Sequence, residues 1–102
     1  MAFVDLSPSA RLDVSRDDLV VVVPLYGGHD HFLRCLRSLL AHTPASVPIL
    51  VADDCTPEPA SHAFVRELDN SGNLNHDVAW MRGDANVGFV ENVNRAFAAT
   101  AP

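Results

Sequence analysis

Apolar runs alternate with stretches of helical spacing along this chain. The first run, Leu19-Val20-Val21-Val22-Val23, is continuous and β-branched, and it stops at Pro24, which has no N–H to give to a ladder. A run without alternation predicts a strand covered on both faces, as in a parallel sheet. Tyr26-Gly27-Gly28 turns the chain, and Asp30 is the N-cap candidate. Phe32, Leu33, Leu36, Leu39 and Leu40 then recur at helical spacing. That helix ends near His42-Thr43-Pro44, because the residue before proline avoids the α region. A second strand is expected at Ile49-Leu50-Val51-Ala52, ending on Asp53-Asp54. Thr56-Pro57-Glu58-Pro59 starts a second helix, whose stripe is Ala60, Ala63, Phe64 and Leu68 and whose end is Asn70-Ser71-Gly72-Asn73. A weaker strand, Val78-Ala79-Trp80-Met81, leads through Arg82–Asn86 into a helix from about Gly88 to Ala99, with Phe89, Val93, Ala96 and Phe97 on one side.

The order β-α-β-α-β-α with short loops predicts an α/β fold: three β-α units forming a parallel, Rossmann-like sheet with right-handed crossovers. Residues 1–17 show no clean period. Turns are expected at Ser7-Pro8-Ser9 and Ser15-Arg16-Asp17-Asp18, and this stretch is read as a partly ordered lead-in to a domain over residues 18–102.

A length of 102 residues fits one small domain. The net charge is −6, and the basic residues are all arginines scattered between Arg11 and Arg95. Without a basic stripe, binding of nucleic acid through its phosphates is excluded. No apolar run reaches the length of a membrane helix, and the N-terminus lacks the basic start and apolar core of a signal peptide. Cys35 and Cys55 make no disulfide framework, which suggests a reducing compartment.

In an open parallel sheet, ligands bind beyond the carboxyl ends of the strands. Here those ends carry the unusual polar residues. Asp53-Asp54 is the sharpest feature, since adjacent carboxylates repel unless each finds donors or a cation. Two readings stand: one acid accepts from a ribose hydroxyl or base N–H, or one caps the next helix while the other is solvated. Tyr26 offers a π-face for a base, or is an ordinary loop tyrosine. Gly27-Gly28 lacks the G-x-G-x-x-G spacing, and a chain without lysine has no phosphate loop of the G-x-x-x-x-G-K type. Asn86 opens the third helix as an N-cap or beside a bound anion, and Asn94 shares a helix face with Val90 and Phe97. His29-Asp30-His31 is read as solvated loop histidines, since no third ligand follows at standard spacing. Cys35 is taken as a small buried hydrophobe, and Cys55, without a histidine partner, is not a catalytic thiol.

Three motifs in order resemble the family-2 glycosyltransferases. VVVVPLYGGHDHFLRCLRSLLAHT resembles their opening strand, P-x-Y turn and Leu-rich helix. VPILVADDCTPEP is similar to their second strand and Asp-Asp turn, and NVGFVENVNRAF to the N-x-G-F-x-x-x-x-N stretch of bacterial members. The resemblance covers about residues 18–100. It implies the N-terminal half of a GT-A fold, a nucleotide-diphosphate-sugar donor, a sugar or lipid-linked acceptor, and a role in cell-surface polysaccharide or glycoconjugate synthesis. Carried over by position, Pro24 and Tyr26 match the turn beside the base. Asp54, with Asp53 next to it, matches the acid on base or ribose. Asn86, Gly88 and Asn94 match the segment lining the nucleotide pocket. Gly27 stands where the family commonly has Asn, and Cys55-Thr56 where it commonly has Gly-Ser.

The family's D-x-D metal motif, catalytic base and acceptor site lie beyond these motifs. The chain is therefore read as the nucleotide-binding part of a longer transferase, inactive alone. The Mg or Mn ion expected in that parent would have its ligands outside this chain, so no catalytic or metal residue is assigned. The expected location is the cytoplasm, at the inner membrane face if other parts of the parent attach it there. Two alternatives stay open: a non-enzymatic α/β interaction module and a receiver-like signalling domain. The resemblance implies that the first strand sits between the second and the D-x-D strand; within this chain the sheet order is then third, second, first, which leaves Leu19–Val23 as an edge with no lysine or inward charge to guard it. That edge is expected to pair with another copy, swap elements, or be covered by residues 1–17.

Overall fold

The computed structural model describes residues 3–12 and 19–100. The elements run β1 (Phe3–Leu6), β2 (Val21–Leu25), α1 (His29–His42), β3 (Ile49–Asp53), α2 (Ala60–Asn70), β4 (Val78–Arg82) and α3 (Phe89–Thr100). The strands form one sheet in the order β1-β4-β3-β2, and every pair is parallel. The expected third-second-first order is thus present, with one strand more. Helices α1 and α2 cover one face, where Phe32, Leu36 and Val65 pack on Val23, Ile49, Val51 and Trp80. Helix α3 covers the other, where Ala96 and Ala99 pack on Leu50, Ala52, Ala79 and Met81. Strand β3 is sandwiched, and all five of its residues are buried, which accounts for its uninterrupted apolar run.

Within the stretch read as a partly ordered lead-in, Phe3–Leu6 forms an edge strand; the turn expected at Ser15–Asp18 lies outside the described residues. Phe3 pairs with Val78 and Leu6 with Met81. The residues of β1 are exposed or half-buried, so four of them leave too weak an alternation to read. Side chains hold the strand in place. Asp5 accepts from Arg66 at 2.8 Å and bonds His62 Nε2 at 2.7 Å, while the Phe3 ring lies edge-on to Trp80 with centroids 6.0 Å apart. Strand β1 therefore covers the outer edge of β4 and leaves β2 at the opposite edge.

Strand β2 runs through Pro24 instead of stopping before it. The Val21 N–H donates to Pro48 O and the Asp54 N–H to Leu25 O, so the odd-numbered residues turn their backbone groups toward β3. A strand alternates this direction residue by residue, and Val22 and Pro24 face the open edge. The missing proline N–H costs the sheet nothing there, and it removes one donor from an edge that the sequence reading left unguarded.

Several helix details differ from expectation. The N-cap of α1 is Gly28, in the left-handed region, and Asp30 lies inside the first turn. His29 and His31 are helical too; His29 Nδ1 bonds Ser61 Oγ at 2.7 Å, clamping α1 to α2. Cys35 is exposed rather than buried. Helix α2 turns Ser61 and Val65 inward, with Phe64 and Leu68 beside them, while Ala63 faces out. Helix α3 buries Asn92, Ala96 and Ala99, whereas Phe89 is 68% and Phe97 57% exposed. Among the described residues no helix is long and apolar enough to cross a membrane.

Candidate functional site

The parallel strands end together, and three loops meet at that edge: Tyr26–Gly28 after β2, Asp53–Thr56 at the end of β3, and Arg82–Gly88 at the end of β4. Backbone and side-chain bonds bind them into one unit. The Gly27 N–H donates to Thr56 Oγ1 at 2.7 Å, and the Gly83 N–H donates to Asp53 O at 2.8 Å.

The two acids organise the unit, and neither is solvated. Asp53 is 1% and Asp54 3% exposed. Asp53 Oδ1 accepts from the Thr56 N–H at 2.9 Å, while Oδ2 accepts from Trp80 Nε1 at 3.0 Å and Arg82 Nη1 at 3.1 Å. Asp54 reaches a helix, but α3 and not the next one. Its carboxylate accepts from the Val87 N–H at 2.8 Å, the Gly88 N–H at 2.9 Å and Asn86 Nδ2 at 2.9 Å. Arg95 Nη2 lies 3.8 Å away. The anion at the start of α3 is therefore the protein's own carboxylate, which suits the positive end of the helix dipole. Of the two readings for the start of α3, a cap or a bound anion, the anion is supplied from within the chain. A carboxylate has about four lone-pair sites, and each acid already fills most of them with N–H donors.

Of the residues singled out in the sequence, Asp54, Asn86 and Gly88 meet directly, and Asp53 joins them through the β3 end. Pro24 and Tyr26 lie together on a different surface, a groove of about 450 Å³ that also takes in Gly27, Gly28, His31 and Cys35. Tyr26 is 59% exposed. Asn94 is exposed on α3 and does not join the cluster; the buried asparagine of that helix is Asn92, whose Nδ2 donates to Ala52 O at 2.8 Å. Its place at i−4 from Ala96 and i−7 from Ala99 was the available signal. Arg82 was missed as well. Its guanidinium, 48% exposed, also donates to Thr56 O at 2.9 Å. It borders a second groove of about 330 Å³, lined by Asp53, Thr56, Glu58, His62 and Trp80 among others. A strand-final arginine beside two acids is visible in the sequence once that strand is known to reach residue 82.

Glycosyl transferase family 2 matches the chain over residues 20–101, a span that contains all three loops. The chain belongs to this family. No curated protein and no solved structure matches the chain. The four-stranded parallel sheet with three helices agrees with a Rossmann-like half of the GT-A fold. The geometry also accounts for the two departures from family usage. Gly27 has φ 63°, a left-handed conformation that glycine adopts freely and asparagine tolerates better than other residues. Cys55, at the family's glycine position, has φ 59°, and Thr56 keeps a hydroxyl where serine is common, the one that accepts from Gly27. Left-handed geometry costs a non-glycine residue about 1–2 kcal/mol, partly offset by the greater unfolded-state freedom of glycine. Cys55→Gly is therefore expected to raise stability by up to about 1 kcal/mol in urea unfolding; a loss would mean that the 3.6 Å contact from Arg82 Nη2 to Sγ outweighs the strain. The family often uses a divalent metal. The described residues do not fit one: no group of three or more His, Cys, Asp or Glu side chains is arranged to hold a cation, and the oxygens of both buried acids are engaged by N–H donors.

Proposed function

We propose that the carboxyl edge of this sheet is the nucleotide-binding end of a glycosyltransferase whose donor is a nucleoside-diphosphate sugar. The observation that carries the reading is the coincidence of the family match with a strand-end unit built around Asp54. In this proposal Tyr26 stacks on the base, with Pro24 setting the direction of its turn. Asn86 and Gly88 border the path of the nucleotide at the start of α3, while Asn94, exposed away from the cluster, takes no part in it. Asp53 and Asp54 act mainly through the loops they hold, because burial and their existing partners leave each at most a single further acceptor site toward a ribose hydroxyl or base N–H. Arg82 supplies an exposed positive charge on the same edge. The alternative of a plain interaction module would need none of these loops tied together.

Titration calorimetry of the chain with uridine, guanosine and deoxythymidine diphosphates tests the reading. Weak binding of at least one is expected. Stacking of an aromatic ring on a base is worth about 1–3 kcal/mol, so Tyr26→Ala is expected to weaken that binding by about fivefold or more with little change in stability. No binding of any diphosphate, or binding indifferent to Tyr26→Ala, would sink the proposal. Sugar transfer and donor hydrolysis by the chain itself are not expected. Transfer needs a general base at the acceptor hydroxyl and a stabiliser for the leaving diphosphate, and Asp53 and Asp54 are committed to structural donors.

A further inference from the structure

Strand β1 lies outside residues 20–101, the span that the family match covers, yet its side chains tie it to the candidate site. Strand alternation turns Phe3 and Asp5 to one face, toward α2. There they hold His62 from two sides. The Phe3 and His62 rings have centroids 5.0 Å apart, and Asp5 Oδ1 lies 2.7 Å from His62 Nε2. A carboxylate only accepts, so Nε2 carries the proton. Arg66, one turn further along α2, donates to Asp5 Oδ2 and lies over the Phe3 ring, with Cζ 5.7 Å from its centroid. His62 in turn stands edge-on to the indole of Trp80. Of the rings packed on that indole, those of Phe3, Phe32 and His62, only Phe32 is independent of β1. From Trp80 the ties continue into the loops. Its indole N–H donates to Asp53 Oδ2, Asp53 Oδ1 accepts from the Thr56 N–H, and Thr56 Oγ1 accepts from the Gly27 N–H, beside Tyr26. These bonds are buried or part-buried, where a displaced donor finds no ready replacement for its partner.

We infer that β1 orders the carboxyl edge of the sheet: when docked, it fixes His62 and Trp80, and through them the Asp53–Thr56–Gly27 ties that set the turn carrying Tyr26. Phe3, Asp5 and His62 are positioning residues and touch no ligand. A strand that only sealed the edge of β4 would need its backbone bonds alone. Strand β1 adds a ring and a charge aimed at the surroundings of Trp80, the residue that reaches both β1 and Asp53. The element with two states is β1 itself, docked or undocked. Its four residues are exposed or half-buried, which places it at the low-stability end of the fold, where a segment opens on its own. The consequence for nucleotide affinity rests on the nucleotide reading; the ordering of the loops does not.

Hydrogen exchange followed by nuclear magnetic resonance in Asp5→Ala and Asp5→Asn provides the test. The Asp5 side chain is half exposed, so both variants are expected to fold; Phe3→Ala, a second way to loosen β1, decides the matter if Asp5→Ala does not. In Asp5→Ala, exchange of the Thr56 and Gly27 amides and of the Trp80 indole N–H is expected to accelerate about fivefold or more beyond any change at Val51, in the middle of β3. The Trp80 indole resonance is expected to shift with it. Asp5→Asn keeps an accepting oxygen for His62 and is expected to restore most of the protection. Acceleration no greater than that at Val51 marks a general loss of stability and overturns the inference. Titration with uridine, guanosine and deoxythymidine diphosphates is the second arm. A diphosphate that binds the unchanged chain is expected to bind Asp5→Ala about fivefold or more weakly and, reciprocally, to slow amide exchange in β1 when it saturates the site. Equal affinity for the two chains overturns the inference. Binding of no diphosphate to the unchanged chain sinks the nucleotide reading alone, and exchange at Thr56 and Gly27 then decides whether β1 orders the edge.

Discussion

Asp54→Ala is expected to lower the stability of the chain by about 3 kcal/mol. The substitution strands two part-buried N–H donors, those of Val87 and Gly88, whose acceptor residue Asp54 is only 3% exposed. A buried donor left without a partner costs about 1–3 kcal/mol, and loss of the negative charge at the start of α3 adds up to about 1–2 kcal/mol in a partly buried setting. Urea unfolding followed by circular dichroism measures the sum. The location of the damage is equally specific: amide exchange should accelerate first at Val87, Gly88 and the opening turn of α3, and much less in β3. Asp54→Asn keeps one accepting oxygen and should lose roughly half as much. A loss below about 1 kcal/mol for Asp54→Ala would mean that water or a loop rearrangement replaces the carboxylate at little cost.

Trp80→Ala is expected to cost still more, about 3–5 kcal/mol, the range for truncating a buried aromatic to alanine. Trp80 is 1% exposed and touches every element on its face. Its ring centroid lies 5.6 Å from Phe32 of α1, 5.1 Å from His62 of α2 and 6.0 Å from Phe3 of β1. Domains of this size hold about 5–15 kcal/mol in all, so the variant is expected to be largely unfolded at modest urea. Trp80→Phe separates the two roles of the side chain. It keeps much of the packing but removes the indole N–H from Asp53 Oδ2, which still accepts from Arg82; the expected loss is about 1–2 kcal/mol. Because Trp80 is the single tryptophan, circular dichroism and not fluorescence has to follow the unfolding. Equal losses in the two variants would show that the hydrogen bond, not the ring, anchors this face.

The strands β2, β3 and β4 were legible because a sheet covered on both faces leaves an unbroken apolar signature, and β3 carries it in full. Strand β1 was not, because half-exposed edge residues give no such mark. The rotation of α3 was misread for a related reason. Phe89 and Phe97 outweigh Ala96 and Ala99 in any count of apolarity, yet the helix lies close on Leu50, Ala52 and Met81, where small residues fit and phenylalanine does not. Pro24 reads as a stop in the sequence because the direction of its absent N–H depends on which residues of β2 face β3. The adjacency of Asp53 and Asp54 was plain, and so was their position at a strand end. Their partners were not, since Asp54 is joined to residues more than thirty positions away, and no local pattern announces such a pairing. The glycines fared better: Gly27-Gly28 and Gly72 all have positive φ, as their places in a turn and at a helix end suggest, while Gly88, read as the first helical residue, lies just before α3 with φ 93°.

Because Phe3 pairs with Val78, β1 is expected to dock after the other three strands of this sheet, although it precedes them in the chain. Its neighbour in the sheet lies 75 residues downstream, and the loop that joins them must close before β1 gains a single ladder bond. On a ribosome, Phe3–Leu6 would emerge early and wait, while β2, α1 and β3 assemble through nearer contacts. Docking of β1 then depends on β4 and on α2 together, since Asp5 reaches back to His62 and Arg66. The N-terminal strand thus acts as a completion step: it seals β4 only after the alternating units have stacked, and in reverse it is the strand that should detach first when the sheet is stressed.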